Sequence, residues 1–548
     1  MPIRAIPAIP SGNAEYTAKA KEINERMEAQ IPTSLRLAPS VLANLPVDVT
    51  GIPETCGLLT EKELAITELD ATDLCARLAK GELTAVETVS AYGKRAAIAH
   101  QLVHCLVDFF LDEAIDRAKE LDEYFAREGK VVGPLHGLPI SIKAREQVPV
   151  KGRFASGGFL SLVDISKDDC LMIKILRDLG AVFYVKTNQP QSINHLETVS
   201  FHGRTLNPYN INLTPGGSSG GESALLALKG SPIGLGNDGG GSIRDPCAKC
   251  GLYGLRPTSN TLPKGGYHHY HFTNDGSVAA TGPMCRSARD IDLFIGAVRA
   301  TQPYLKDQML IPLPWNIPEK LDRKLRVGIM LHDGVVMPQP PMMRALRLAK
   351  AKLEATDEVD VVEYLPYEHE LGYDTIREIY FEDGGATVRR VLKEGGEDIL
   401  PLTEWVISPP HTFEHTVLGS WDLRYRRDKY KQAYSDYWNA SGIDVLLCPP
   451  YPGTANPHDM ARYWGYTAIW NLLDYPGVVF PTGLKLDPKL DVAYEFAEPM
   501  SEFDKYFRDF YDPEYMTGAP VCLQLVSRRF NDCMLMAAQR IVEKIILS

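Results

Sequence analysis

The segment from Thr214 to Pro257, TPGGSSGGESALLALKGSPIGLGNDGGGSIRDPCAKCGLYGLRP, constrains this chain more than any other. It sets two serines in two separate glycine nests, Ser218 in GGSSGG and Ser242 in GGGS. Glycine takes positive φ and lets backbone approach another atom closely. Successive N–H groups in such turns can converge on one negative oxygen. A serine inside its own nest of donors is what acyl transfer requires, a nucleophile beside an oxyanion hole. By composition GGSSGG also fits a flexible linker. Its flanks argue otherwise: ALLAL is apolar and helix-forming, SPIGLG reads as a short buried strand, and CGLYGL is another apolar run. Linkers do not alternate with core segments. No Gly-Lys-Ser or Gly-Lys-Thr follows either nest, which sets aside a phosphate-binding loop.

A serine hydroxyl needs a base. His195 and His202 lie upstream of Ser218, and His268, His269 and His271 cluster in YHHYHF. None falls in a nucleophile-elbow pattern, and no G-x-S-x-G surrounds Ser242. The other candidate is a lysine closing a buried strand. In GPLHGLPISIKA the run Pro139 to Ile142 is apolar and β-like, and Lys143 ends it. Burial disfavours an ammonium and lowers its pKa from about 10.4. A neutral lysine amine can then act as a general base.

GLPISIK, GGSSGGES and GNDGGGSIRDP followed by CGLYGLRPT together resemble the amidase signature family. LRDLGAVFYVKTNQPQS, GRTLNP, TGPMCRS and GAPVCLQLVSRR extend the resemblance from about residue 60 nearly to the last residue. ITELDATDLCARLAKGELTAVETV and YWGYTAIWNLLDYPGVVFPTG look like its fungal acetamidase and general amidase branch. The resemblance implies an α/β fold, with a central mixed β-sheet covered by helices on both faces. It also implies a Ser-cisSer-Lys set: Ser242 as nucleophile, Ser218 in a cis peptide as the bridge, Lys143 as base. Backbone N–H groups from Gly239, Gly240, Gly241 and Ser242 would hold the oxyanion. Ser219 would support Ser218 by a hydrogen bond, and Asp238 and Arg244 would brace the loop as a charged pair. The implied activity is hydrolysis of a carboxylic amide to an acid and ammonia or an amine, with no cofactor and no metal.

Four positions depart from the family pattern: Ala144, Asn237, Gly239 and Asp245. Asp245 stands where the family places an apolar side chain. Read as a strand residue, it points opposite to Arg244. Two readings follow, a carboxylate facing the pocket or one paired with a nearby surface or loop cation. These departures motivate a rival reading, a weakly active or inactive paralogue serving as a binding protein. Covalent labelling by a fluorophosphonate separates that rival from an enzyme. A transamidase subunit is a second rival, which size-exclusion with an amide assay tests.

The rest of the chain fits an enzyme of small molecules. A length of 548 residues, 45% hydrophobic and 23% charged, is ordinary for a globular protein. A net charge of −12 argues against nucleic acid and anionic membrane surfaces. No apolar run approaches the ~18 residues of a membrane span. MPIRAIPAIPSG lacks an apolar leader core, and the final ILS is not a peroxisomal address, so the cytoplasm is the expected compartment. Ten cysteines in so long a chain do not make a disulfide framework, and Cys247 to Cys250 is a lone C-x-x-C. The partner expected is a small-molecule amide; a homodimer is compatible with these features.

In organisation, residues 1–60 read as a Pro-rich extension around a helical patch from Ala14 to Gln30. Residues 61–548 read as one amidase signature domain, with its signature core at about 130–300. Thr84 to Glu87 is a capping box opening a helix. Residues 340–440 read as mostly helical, and RYRRDKYKQAYSDYW reads as a solvated amphipathic helix.

Overall fold

The computed structural model describes residues 10–143, 150–267, 279–492, 494 and 498–548. His268, His269 and His271, and Ala144, lie outside the described residues. The framework is an eleven-stranded mixed sheet. Across it run Leu106–Phe109, Val182–Thr187, Pro139–Lys143, Ile233–Asp238, Ala280–Cys285, Tyr253–Arg256, Gly477–Lys485, Pro520–Ser527, Val445–Cys448, Leu325–Ile329 and Val359–Glu363. The strands expected from PISIK and SPIGLG both form, and they join this sheet together with the apolar runs CGLYGL, LRVGIM, DVLLC and CLQLV. Their near-continuous apolar character matches strands covered on both faces by helices. The α/β architecture with a large mixed sheet is therefore present.

Parallel pairing matters most for function. Pro139–Lys143 lies between Val182–Thr187 and Ile233–Asp238 and runs parallel to both. Three parallel strands thus end at one edge, where open α/β sheets carry their sites. Ile140 faces Ile233 and Ile142 faces Leu235 in register. The lysine strand therefore ends beside Ile233–Asp238, the strand that leads into the second glycine nest.

Local signals account for the helices. Asn13 caps Ala14–Gln30 by accepting from the Tyr16 amide. Gln30 then donates to Asp108, and its carbonyl oxygen Oε1 accepts from the Phe109 amide, which seats this helix against the edge strand. Thr84 and Glu87 form a reciprocal capping box on Ala85–Val103. The basic-aromatic run lies in Val417–Ser441, where Leu423, Tyr430, Tyr434 and Trp438 are buried. No helix among the described residues is long and apolar enough to cross a membrane.

Candidate active site

Lys143 closes its strand as a buried residue, 1% exposed. Ser218 precedes the helix Gly220–Ala227, and the Gly217–Ser218 peptide is cis. Lys143 Nζ donates to Ser218 Oγ at 2.6 Å, and Ser218 is fully buried. His195 and His202 are buried too, and desolvation pushes their imidazoles down to about 4 and about 3. His202 Nδ1 faces Asn24 Oδ1 at 3.3 Å. It is the lysine that meets Ser218.

The glycines before Ser218 are fixed by close approach. A Cβ on Gly216 would come within 2.6 Å of Pro246 Cα, and one on Gly217 within 2.6 Å of the Glu197 amide nitrogen. Behind Lys143 sits Glu222, which sequence reasoning did not single out. Its carboxylate accepts from Ser141 Oγ at 2.5 Å and Thr187 Oγ1 at 2.9 Å. Burial raises this carboxyl to about 7, against the pull of Ser141, Thr187 and the charge of Lys143. The signal was present in GGES, an acid opening an apolar helix.

The second nest follows Ile233–Asp238 and is held by one carboxylate. Asp238 Oδ1 accepts from the Gly241 amide at 2.8 Å, and Oδ2 accepts from the Ile243 and Arg244 amides at 3.2 and 3.3 Å. Arg244 adds two side-chain bonds to Asp238 at 3.0 Å each. Its remaining donors reach Gln524 at 2.9 Å, Thr467 O at 3.0 Å and Asn471 at 2.6 Å. Burial alone would raise the Asp238 carboxyl, but Arg244 and Asn471 outweigh it and hold the group at about 2. From the other side, Tyr380 donates to Gly239 O at 2.8 Å and Thr467 to Gly240 O at 2.6 Å. Tyr380, Thr467, Asn471 and Gln524 come from distant elements, and no local pattern announced them.

Three expectations need correction. Gly241 was expected as an oxyanion donor, but its amide is already given to Asp238. What makes Gly241 a glycine is its φ of 134° and a Cβ position 2.3 Å from Thr467 Oγ1. Ser219 was expected to bond Ser218, yet its Oγ is buried with no hydrogen-bond partner among the described residues. The two amides that follow it are held elsewhere, Gly220 N by Thr198 Oγ1 and Gly221 N by Asn188 O.

Asp245 was read as a strand residue. It lies in the first turn of the helix Arg244–Lys249, where Pro246 is well tolerated. On a helix it is not opposed to Arg244, and its i+4 neighbour is Lys249. Asp245 Oδ1 lies 2.9 Å from Lys249 Nζ, and Oδ2 accepts from the Gly217 amide at 3.1 Å. Both side chains are almost fully buried, and Lys249 Nζ stands 3.8 Å from the Tyr451 ring centre. The carboxylate is thus packed against the backbone that carries Ser218. Burial lifts it to about 6, while Lys249 and the Gly217 amide pull it down.

The arrangement puts an amine on a buried serine hydroxyl and a second serine at the end of the adjacent parallel strand. Comparison with known proteins identifies the family. The family model described as Amidase matches residues 87–536. A Schizosaccharomyces pombe protein whose name assigns it to the amidases is 45% identical over 509 residues, 91% of this chain and 94% of the relative. An acetamidase of Emericella nidulans is 39% identical, covering 88% and 90%. A solved fatty acid amide hydrolase superposes with a TM-score of 0.92 at 34% identity, covering 100% of this chain and 97% of that one. The chain belongs to the amidase family, the amidase signature enzymes, and is a hydrolase acting on amide C–N bonds.

Proposed function

We propose that this enzyme cleaves a small-molecule carboxylic amide through an acyl-enzyme on Ser242, with Ser218 and Lys143 relaying the proton. The observation that carries the reading is the 2.6 Å contact of Lys143 Nζ with Ser218 Oγ inside the buried edge of the sheet. In this reading Lys143 acts as the neutral amine, the form that can serve as a general base. Lys143 takes the proton of Ser218 as Ser218 takes that of Ser242. Ser242 Oγ then bonds to the amide carbon, and the carbonyl oxygen becomes an oxyanion. The amides of Gly239, Gly240 and Ser242 face it, since the Gly241 amide is held by Asp238. Tyr380 and Thr467 grip the carbonyls of Gly239 and Gly240 and fix those peptide planes in advance. The C–N bond breaks as the proton returns through Ser218 to the leaving nitrogen. Water, deprotonated by the same relay, adds to the acyl carbon and releases the acid and free Ser242.

Similarity to acetamidases over almost the whole chain supports small amides as substrates and catalysis over a binding role. The test is a panel of aliphatic, aromatic and charged amides, with products followed by mass spectrometry. Acid and ammonia or amine in equal amounts, with a transient acyl adduct on the protein, support the reading. Purified enzyme that turns over no member of the panel refutes it.

A further inference from the structure

Arg377 is a charged side chain that the mechanism above does not use. It lies on the helix His369–Tyr380 and is 2% exposed. Both of its terminal nitrogens are buried without a hydrogen-bond partner, and it forms no ion pair among the described residues. The acid one turn earlier, Asp374, attracts the guanidinium through space without forming an ion pair with it, and its Oδ1 lies 3.4 Å from His411 Nδ1. Around the guanidinium carbon stand four aromatic rings: Trp405 at 4.7 Å, Tyr373 at 5.4 Å, Trp464 at 5.9 Å and Phe503 at 6.0 Å. Such rings return part of what desolvation costs. They do not replace the five donor bonds a guanidinium makes. A buried charge with its donors unmet is costly, and one that persists calls for a counter-ion.

Its position says where the counter-ion comes from. Tyr380, three residues on and on the same helix face, is the residue whose hydroxyl holds Gly239 O. Three residues of helix rise about 4.5 Å. Trp464 immediately precedes the helix Gly465–Leu473, whose Thr467 holds Gly240 O. A Cβ on Gly240 would lie 3.5 Å from Trp464 Cδ1. The cage is therefore built from the two helices that grip the nucleophile loop. On its other side, Trp405 and Phe503 are only partly buried.

We propose that Arg377 and its aromatic cage recognise a carboxylate carried by the amide substrate, within a short spacer of the scissile carbonyl. This rests on the amide-hydrolysis reading above. Rotation of Trp405 or Phe503 admits the anion, and the guanidinium binds both of its oxygens side by side. The enzyme accordingly prefers amides with a fixed negative charge to neutral amides of like size.

The experiment measures kcat/KM for succinamate against butyramide, with the acid on the acyl side. It does the same for N-acetylglycine against N-propylacetamide, with the acid on the amine side. Wild-type enzyme should prefer the anionic member of one pair by on the order of tenfold or more. Whichever pair shows it locates the anion. In Arg377→Met that ratio should collapse, and Arg377→Lys, which keeps charge but not the paired donors, should fall between. Succinate and N-acetylglycine are also added to the Ser242→Ala protein during thermal unfolding. One of them should raise its Tm, and Arg377→Met in that background should abolish the rise. No anionic preference in wild type, or equal loss for both members of each pair, overturns the proposal. Should no amide be turned over and no phosphonate attach, the amide-hydrolysis reading fails. The thermal shifts then decide on Arg377 alone, and their absence overturns the anion site.

Discussion

Lys143 Nζ and Ser218 Oγ stand 2.6 Å apart, one on a strand end and the other at a helix entrance, with 74 residues of chain between them. That contact joins a buried amine to a buried hydroxyl, and the expectations below follow from it and from the loop beside it.

Removing the amine should cost what a general base supplies. Lys143→Ala should lower kcat by ~10²–10⁴-fold. In wild type the rate should rise with pH as the amine loses its proton, and the variant should lose that limb. Steady-state rates from acid to alkaline pH measure both. An unchanged pH profile would separate Lys143 from the chemistry.

Asp238 anchors the nucleophile loop and Arg244 together. Asp238→Asn leaves a buried guanidinium underpaired and should cost about 3–5 kcal/mol at neutral pH. Asp238 is held at about 2 in the folded chain, below its unfolded value. Its contribution to stability is therefore present above pH ~4 and lost as pH falls through about 2. Denaturant unfolding of wild type and variant should show the gap closing in that window.

The Asp245–Lys249 pair, 2.9 Å apart and buried, should behave as a unit. Asp245→Val or Lys249→Met alone strands one charge and should cost about 3–5 kcal/mol. The double change should recover most of that loss, as apolar replacement of a buried pair often does. Relative rates across an amide panel should stay the same in the double variant, because the carboxylate packs on Gly217. A changed substrate preference would return Asp245 to the pocket.

The three glycines of the nest should differ sharply. Among the described residues a Cβ on Gly239 meets only Ala279 Cβ, at 3.5 Å, so Gly239→Ala should be tolerated. On Gly240 it meets the Tyr380 hydroxyl at 2.5 Å, and on Gly241 it combines a φ of 134° with Thr467 at 2.3 Å. Gly240→Ala and Gly241→Ala should therefore lose phosphonate labelling, read as labelling rate at fixed probe concentration.

Much of this was legible in the chain because the site is built from compact segments. Strand, nest and helix alternate within Thr214–Pro257, so apolar runs and glycine clusters marked the scaffold and both serines. The braces were not legible. Tyr380, Thr467, Asn471 and Gln524 act through single side chains on elements far along the chain, and nothing local distinguishes them. Asp245 was misread because strand alternation was carried past the nest, although Pro246 fits the opening turn of a helix. Ser219 was misread because its role was carried over from the resemblance, and nothing local in GGSSGG shows where its hydroxyl points. The Lys249 partner follows only once the helix is known.

Ser242 is the proposed nucleophile, and site-mapped covalent labelling tests that role directly. The enzyme is treated with a fluorophosphonate, digested, and the modified residue is located by tandem mass spectrometry. One adduct is expected, on Ser242, absent in Ser242→Ala and slowed in Lys143→Ala. An adduct on Ser218 or Ser219, or labelling that survives Ser242→Ala, would contradict it.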